Sequence, residues 1–143
     1  MATRQQANKA LVTRFITDLV NGQQYALADE VLTTDYTRHD PNTPGTERGP
    51  APWIDTLRAL HDAFPDHTVT IDELIAEDDR VAFAGRMTGT HTGPFRGLEA
   101  TDARFDVRGH AMHRIEGGRI AETWATWDFL GVLAALGVVD PPR

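Results

Sequence analysis

The chain has 143 residues, no cysteine and a formal net charge of −7 at neutral pH. That length fits a single domain, residues 1–143, with a real hydrophobic core. The lack of cysteine excludes disulfides, thiolate catalysis and cysteine-held metals. The acidic balance, with one lysine among fourteen basic residues and no Lys/Arg run, speaks against nucleic-acid or anionic-membrane partners.

The N-terminal stretch MATRQQANKALV lacks a long apolar core and a small-residue cleavage site. No apolar run nears the roughly 18 residues that a membrane span needs. The expectation is a soluble cytoplasmic protein.

Residues 5–20 predict an amphipathic helix, with Leu11, Phe15 and Leu19 on one ridge and Val12, Ile16 and Val20 on the next. Asn21-Gly22 suits its C-terminal cap. Residues 23–33 predict a second short helix carrying Leu27, Ala28, Val31 and Leu32. The segment Thr34–Pro50 holds three prolines and two glycines and reads as mostly loop after a brief extended piece at Tyr36. A third helix is expected from Pro50 to Phe64, with both Pro50 and Pro52 in its first turn, where proline is tolerated.

Four strands follow, at 67–76, 80–91, 103–115 and 119–127, with hairpin turns at Asp78-Asp79 and Gly117-Gly118. A short helix over 128–136 closes the pattern at Gly137. Helices first and an antiparallel meander afterwards predict an α+β domain.

The strands alternate cleanly. Phe105, Val107, Gly109, Ala111 and His113 share one face, and Asp106, Arg108, His110, Met112 and Arg114 share the other. Val81, Phe83, Gly85, Met87, Gly89 and His91 form a second apolar face. Glycines on these faces mark either relief of crowding in a twisted sheet or the border of a ligand cavity. On the second reading Gly85, Gly89, Gly109, Ala111 and Ala125 border the cavity.

The order of elements, with HDP at His39–Pro41, GP at Gly49-Pro50 and AFPD at Ala63–Asp66, resembles the nuclear transport factor 2-like superfamily. EDDRVAF at Glu77–Phe83, GTHTGPFRG at Gly89–Gly97 and HRIEGGRIAETW at His113–Trp124 are similar to its SnoaL-like polyketide and ester cyclases. The resemblance implies a cone-shaped α+β barrel: three N-terminal helices on a strongly curved antiparallel sheet, and a short C-terminal helix. It implies intramolecular aldol ring closure without metal or cofactor. It also implies a catalytic carboxylic acid directly after a tryptophan on the last strand, where this chain has Trp124 and then Ala125. A glutamine and a histidine two apart on the preceding strand correspond to Gly109 and Ala111.

With the acid position held by alanine, a proton must come from another wall or not at all. His39 and Asp128 are the candidate catalytic groups. Competing with them are an Asx-type turn at Asp40 with His39 packed beside it, and a helix N-cap at Asp128. The expected ligand-binding set is Trp53, Met87, His91, Gly109, Ala111, His113, Ala125 and Trp127. For Trp53, Trp127, His91 and His113, core or loop-holding roles stand as the alternative.

His110 and His113 are three apart on a strand and point to opposite faces, so no metal site is expected. Asp106 and Arg108 suggest an epoxide-hydrolase-like pair only if they face the cavity. On the polar face they fit a ladder with Arg86 or a homodimer interface.

Two functions remain. One is a cofactor-independent cyclase or isomerase acting on a hydrophobic carbonyl or polyketide-type molecule. The other is a non-catalytic ligand-binding or protein-interaction module of the same fold.

Overall fold

A computed structural model describes residues 2–140. Helix α1 (Arg4–Arg14) opens on a capping box, in which the Thr3 hydroxyl accepts from the Gln6 amide and the Gln6 side chain accepts from the Thr3 amide. It runs directly into a π-helical stretch, Phe15–Asn21, that buries Phe15, Ile16, Leu19 and Val20. The widened turn brings both sequence-predicted ridges against the sheet.

The next segment departs from expectation. Only a 3₁₀ turn (Tyr25–Leu27) and a single turn of helix, α2 (Ala28–Val31), precede an eight-residue strand, β1 (Leu32–His39). The supposed loop is therefore extended through His39. Its prolines and glycines fall after that point, around the two-residue strand β2 (Glu47–Arg48). Gly49, at φ +78°, turns the chain into α3 (Pro50–Ala63), whose first residue is Pro50.

Strands β3 (Thr68–Glu77), β4 (Arg80–Thr90), β5 (Arg104–Glu116) and β6 (Arg119–Trp127) form the expected meander, and α4 (Phe129–Ala135) follows. The sheet order is β2-β1-β6-β5-β4-β3. The sheet is mixed rather than wholly antiparallel, because β1 runs parallel to β6. Extra residues interrupt the ladders at Asp72 in β3 and Ala121 in β6, and such bulges bend and twist a sheet.

The alternation holds at every position from Phe105 to Ile115, odd residues buried and even ones exposed or half-exposed. Two buried clusters result. The larger joins the N-terminal helices to the sheet through Phe15, Leu19, Tyr36 and Leu57. The smaller gathers Phe64, Phe95, Phe105 and Val132 beneath α4.

Candidate functional site

Between the concave sheet face and the helices lies a cavity of about 110 Å³. The π-helical stretch contributes Phe15, Ile16 and Val20, and α3 contributes Trp53, Thr56 and Leu60. The sheet wall includes Phe83, Met87, Ala111, His113, Thr123, Ala125 and Trp127. Its rim holds the exposed or half-exposed residues Asp40, Asn42, Thr43, Arg96 and Phe129, which places the mouth between the β1–β2 connection and α4.

Of the residues singled out in the sequence, Trp53, Met87, Ala111, His113, Ala125 and Trp127 therefore line one space. Ala111 and Ala125 face each other as register partners, and their small side chains leave the middle of that wall open.

Three glycines expected at its border do not reach it. A side chain at Gly109 would collide with the Trp127 ring, which closes over the bare backbone. Gly85 sits against the Thr70 carbonyl, and Gly89 against the Phe105 and Phe64 side chains. These glycines permit close packing around the cavity.

His113 is fully buried, with Nδ1 hydrogen-bonded to the Thr123 hydroxyl at 2.8 Å. Its ring stacks on Phe83 and meets Phe15 edge-on, and Nε2 has no partner among the described residues. Complete burial, reinforced by the positive charge of Arg38, pulls its pKa down to about 3, so the ring is neutral at neutral pH. His67, which also lines the cavity, is pulled down to about 4 by burial and then by His61, and neither of its nitrogens has a described partner. Trp53 Nε1 is likewise unpartnered. The wall is thus apolar with a few unfilled hydrogen-bonding positions.

His39 lies elsewhere. Alternation along β1 sends Tyr36 and Arg38 inward, and His39 is not among the cavity-lining residues. It stacks on Trp124 at 5.3 Å and its Nε2 contacts Glu122 Oε2 at 2.6 Å. The His39 hydrogen bond, with help from Arg114, holds the Glu122 carboxyl below its ordinary range.

Asp128 is exposed and caps α4, accepting from the Gly131 amide at 2.9 Å. Asp40 accepts from the Asn42 amide at 2.8 Å, as an Asx turn requires. His91 is buried behind the cavity between Phe64 and Phe95, where Nδ1 accepts from the Thr101 amide and pins the β4–β5 connection.

Asp106, Arg108 and His110 are exposed on the outer sheet face. The ion pairs there centre on Asp72, 3.7 Å from Arg86 and 3.8 Å from Arg108, so the partner carboxylate comes from the β3 bulge and not from Asp106. The same face carries a shallow apolar groove with Ile75, Ala82, Met112 and Trp124. Among the described residues, no three His, Asp or Glu side chains gather to hold a metal ion, and no helix is long and apolar enough to cross a membrane.

Arg38 and His67 were not among the sequence candidates. Arg38 would follow from alternation once β1 is known to extend to His39. His67 opens the strand expected at 67–76, where alternation with Val69 puts it on the buried face.

A curved mixed sheet wrapped around an apolar cavity, with helices across its open side, defines the nuclear transport factor 2-like class. Within it, the pattern of the SnoaL-like polyketide cyclases matches residues 10–136, and the chain belongs to that family. No curated protein matches it in sequence.

Among solved structures it is similar to IdmH of Streptomyces antibioticus, a candidate polyketide cyclase. Identity there is 27%, over 92% of this chain and 99% of that one, with a TM-score of 0.81. A candidate polyketide cyclase of Acidithiobacillus ferrooxidans is also 27% identical, over 95% and 98% of the two chains, with a TM-score of 0.83. A candidate SnoaL-like polyketide cyclase of Jannaschia is 22% identical, over 99% and 98%, with a TM-score of 0.86. That likeness is one of fold.

Proposed function

We propose that this chain is a cofactor-independent cyclase or isomerase that folds a hydrophobic carbonyl or polyketide-type molecule inside the cavity. One observation carries the reading: the enclosed apolar wall presents several buried hydrogen-bonding nitrogens that no described protein group satisfies. Such groups are rarely left empty in a purely structural core. They suit carbonyl oxygens of a bound substrate.

Ala125, at the place the family resemblance assigns to the acid, makes the site a confining one. Holding a chain in its reactive shape can remove roughly 7–11 kcal/mol of a barrier at most. The small residues Ala111 and Ala125 set the space available. A ligand larger than one or two rings extends to the mouth at Asp40–Thr43.

The lack of a buried carboxylate among the described residues also favours a second reading, a binding module without turnover. Dimerisation through the outer groove fits either reading.

The test is incubation with aryl poly-β-ketones and polyene esters without added metal or cofactor. Expected is a cyclised product of equal mass, or lighter by one water. Ala111→Leu and Ala125→Leu should each abolish it by filling the cavity. Ligand binding that survives with no product in any incubation would leave the binding module. Product that survives both leucine substitutions would remove the cavity as its site.

A further inference from the structure

Arg38 is a buried cation with no counter-ion among the described residues. The residue is 5% exposed and lines the cavity. Among the described residues no carboxylate lies within 4.0 Å of it, and its guanidinium makes no hydrogen bond to any of them. Asp40, the only carboxylate among the lining residues, stands at the rim. One flat face of the guanidinium is occupied: Cζ sits 3.5 Å from the centroid of the Trp53 ring. Its edge carries N–H donors in a fork that matches two coplanar oxygens. An arginine cannot shed its charge to relieve burial, so an unpaired one in an apolar wall calls for an anion.

The surroundings agree. The protein carries a net charge of −7, which repels anions in general, so one that enters must meet a local cation. A second arginine, Arg96, stands at the rim over the Phe95 and Phe129 rings, on the way in. The titratable groups lining the cavity are His113, which feels the charge of Arg38, His67, Arg96 and Asp40; both histidines are neutral, and Asp40, at the rim, makes no ion pair with Arg38.

We propose that the cavity takes an acidic ligand, a compact hydrophobic molecule whose planar oxyanion lies edge-on against Arg38 with its rings along Phe83, Met87 and Trp127. The oxyanion is a carboxylate or the enolate of a 1,3-dicarbonyl, which share the required pair of coplanar oxygens. The proposal rests on reading the cavity as the substrate site.

Calorimetry at pH 7 tests it with 2-naphthoate, its methyl ester and the enolate of 2-acetylindane-1,3-dione. A charged hydrogen-bonding pair supports a preference for anion over ester of roughly ten- to a hundredfold. The ester is the more hydrophobic probe, so the apolar wall biases the comparison against the proposal. Arg38→Met should erase the preference and leave ester binding within about threefold, while Arg38→Lys should retain part of it. Preference for one anion alone supports the proposal and identifies the source of the oxyanion.

Equal binding of acid and ester by the wild-type protein overturns the proposal, whatever the variants do, and leaves the hydrophobic site standing. So does an Arg38→Met protein that weakens both equally. Binding of none of the three probes overturns the proposal and the reading beneath it together.

Discussion

Lowering the pH from 7 to 5 should destabilise this protein well before its carboxylates titrate. Burial holds His113 near pKa 3 and His67 near 4, whereas in the unfolded chain both return to about 6.5. Between these limits the unfolded state binds protons that the folded state refuses, so stability rises with pH from about 4 to 6.5. At pH 5 each ring costs about 2 kcal/mol, close to one and a half pH units at about 1.4 kcal/mol per unit.

Together they cost about 4 kcal/mol, a large share of the roughly 5–15 kcal/mol typical of a domain. Glu122 and Asp66 are also shifted down, but they titrate in the carboxylate range. Hydrogen bonds from His39 and Arg114 lower the first; at Asp66 burial pushes up, but bonds from Thr90 more than offset it. Their contribution persists above the ordinary carboxylate range and is lost only as the pH falls through and below it, so the window from 6.5 to 5 belongs to the histidines. Urea unfolding at pH 7, 6 and 5 measures the slope, and His113→Gln and His67→Gln should each remove about half of it. A change below about 1 kcal/mol across that range would refute the argument that both rings are buried neutral.

Two further outcomes follow from placement. His39→Ala and Asp128→Asn should each lower turnover less than about tenfold, because one lies on the outer sheet face and the other caps α4. A loss in the 100- to 10,000-fold range expected for a general acid or base would return them to the mechanism. Sedimentation should show a dimer that Ile75→Glu with Met112→Glu dissociates, since both side chains stand exposed in the outer groove. A wild-type monomer at micromolar concentration ends that proposal.

The sheet was legible because its strands are long and half-buried. From Phe105 to Ile115 every second side chain is buried, and period-two alternation carries that directly. The α1 ridges were equally plain. The failure at Thr34–Pro50 has a local cause. Three prolines and two glycines dominate the composition of that window, and they mask the alternation Tyr36, Arg38 against Thr37, His39.

Losing that strand had two effects on the site. It left His39 as a candidate on the cavity wall, which its outward position in β1 does not allow. It also hid Arg38, whose inward position follows from the same pattern. The glycines misled for a different reason. Gly109 signals that something approaches the backbone, but only tertiary packing shows that Trp127 fills the space. The parallel pairing of β1 with β6 joins residues far apart in the chain, and no local signal encodes it.

The inventory of the cavity also bears on how a ring could close there. Neutral imidazoles with pKa values near 3 and 4 are weak bases, poorly matched to removing a proton from carbon. A substrate held by Arg38 as its enolate needs no such base, because the nucleophilic carbon is already formed. Attack on a second carbonyl makes the carbon–carbon bond and moves the carbonyl electron pair onto oxygen. An N–H of Trp53 or His113 can hydrogen-bond that oxygen as charge develops, and the alkoxide takes its proton from water through the mouth.

On this account kcat/KM rises with the ionisation of the substrate and is flat above the substrate's own pKa. Two 1,3-dicarbonyl substrates of different acidity should give profiles displaced by the difference in their pKa values, between pH 6 and 9, where His113 and His67 stay neutral. Profiles that superimpose on a common inflection belong to a protein group instead, and would show that the protein supplies the base itself.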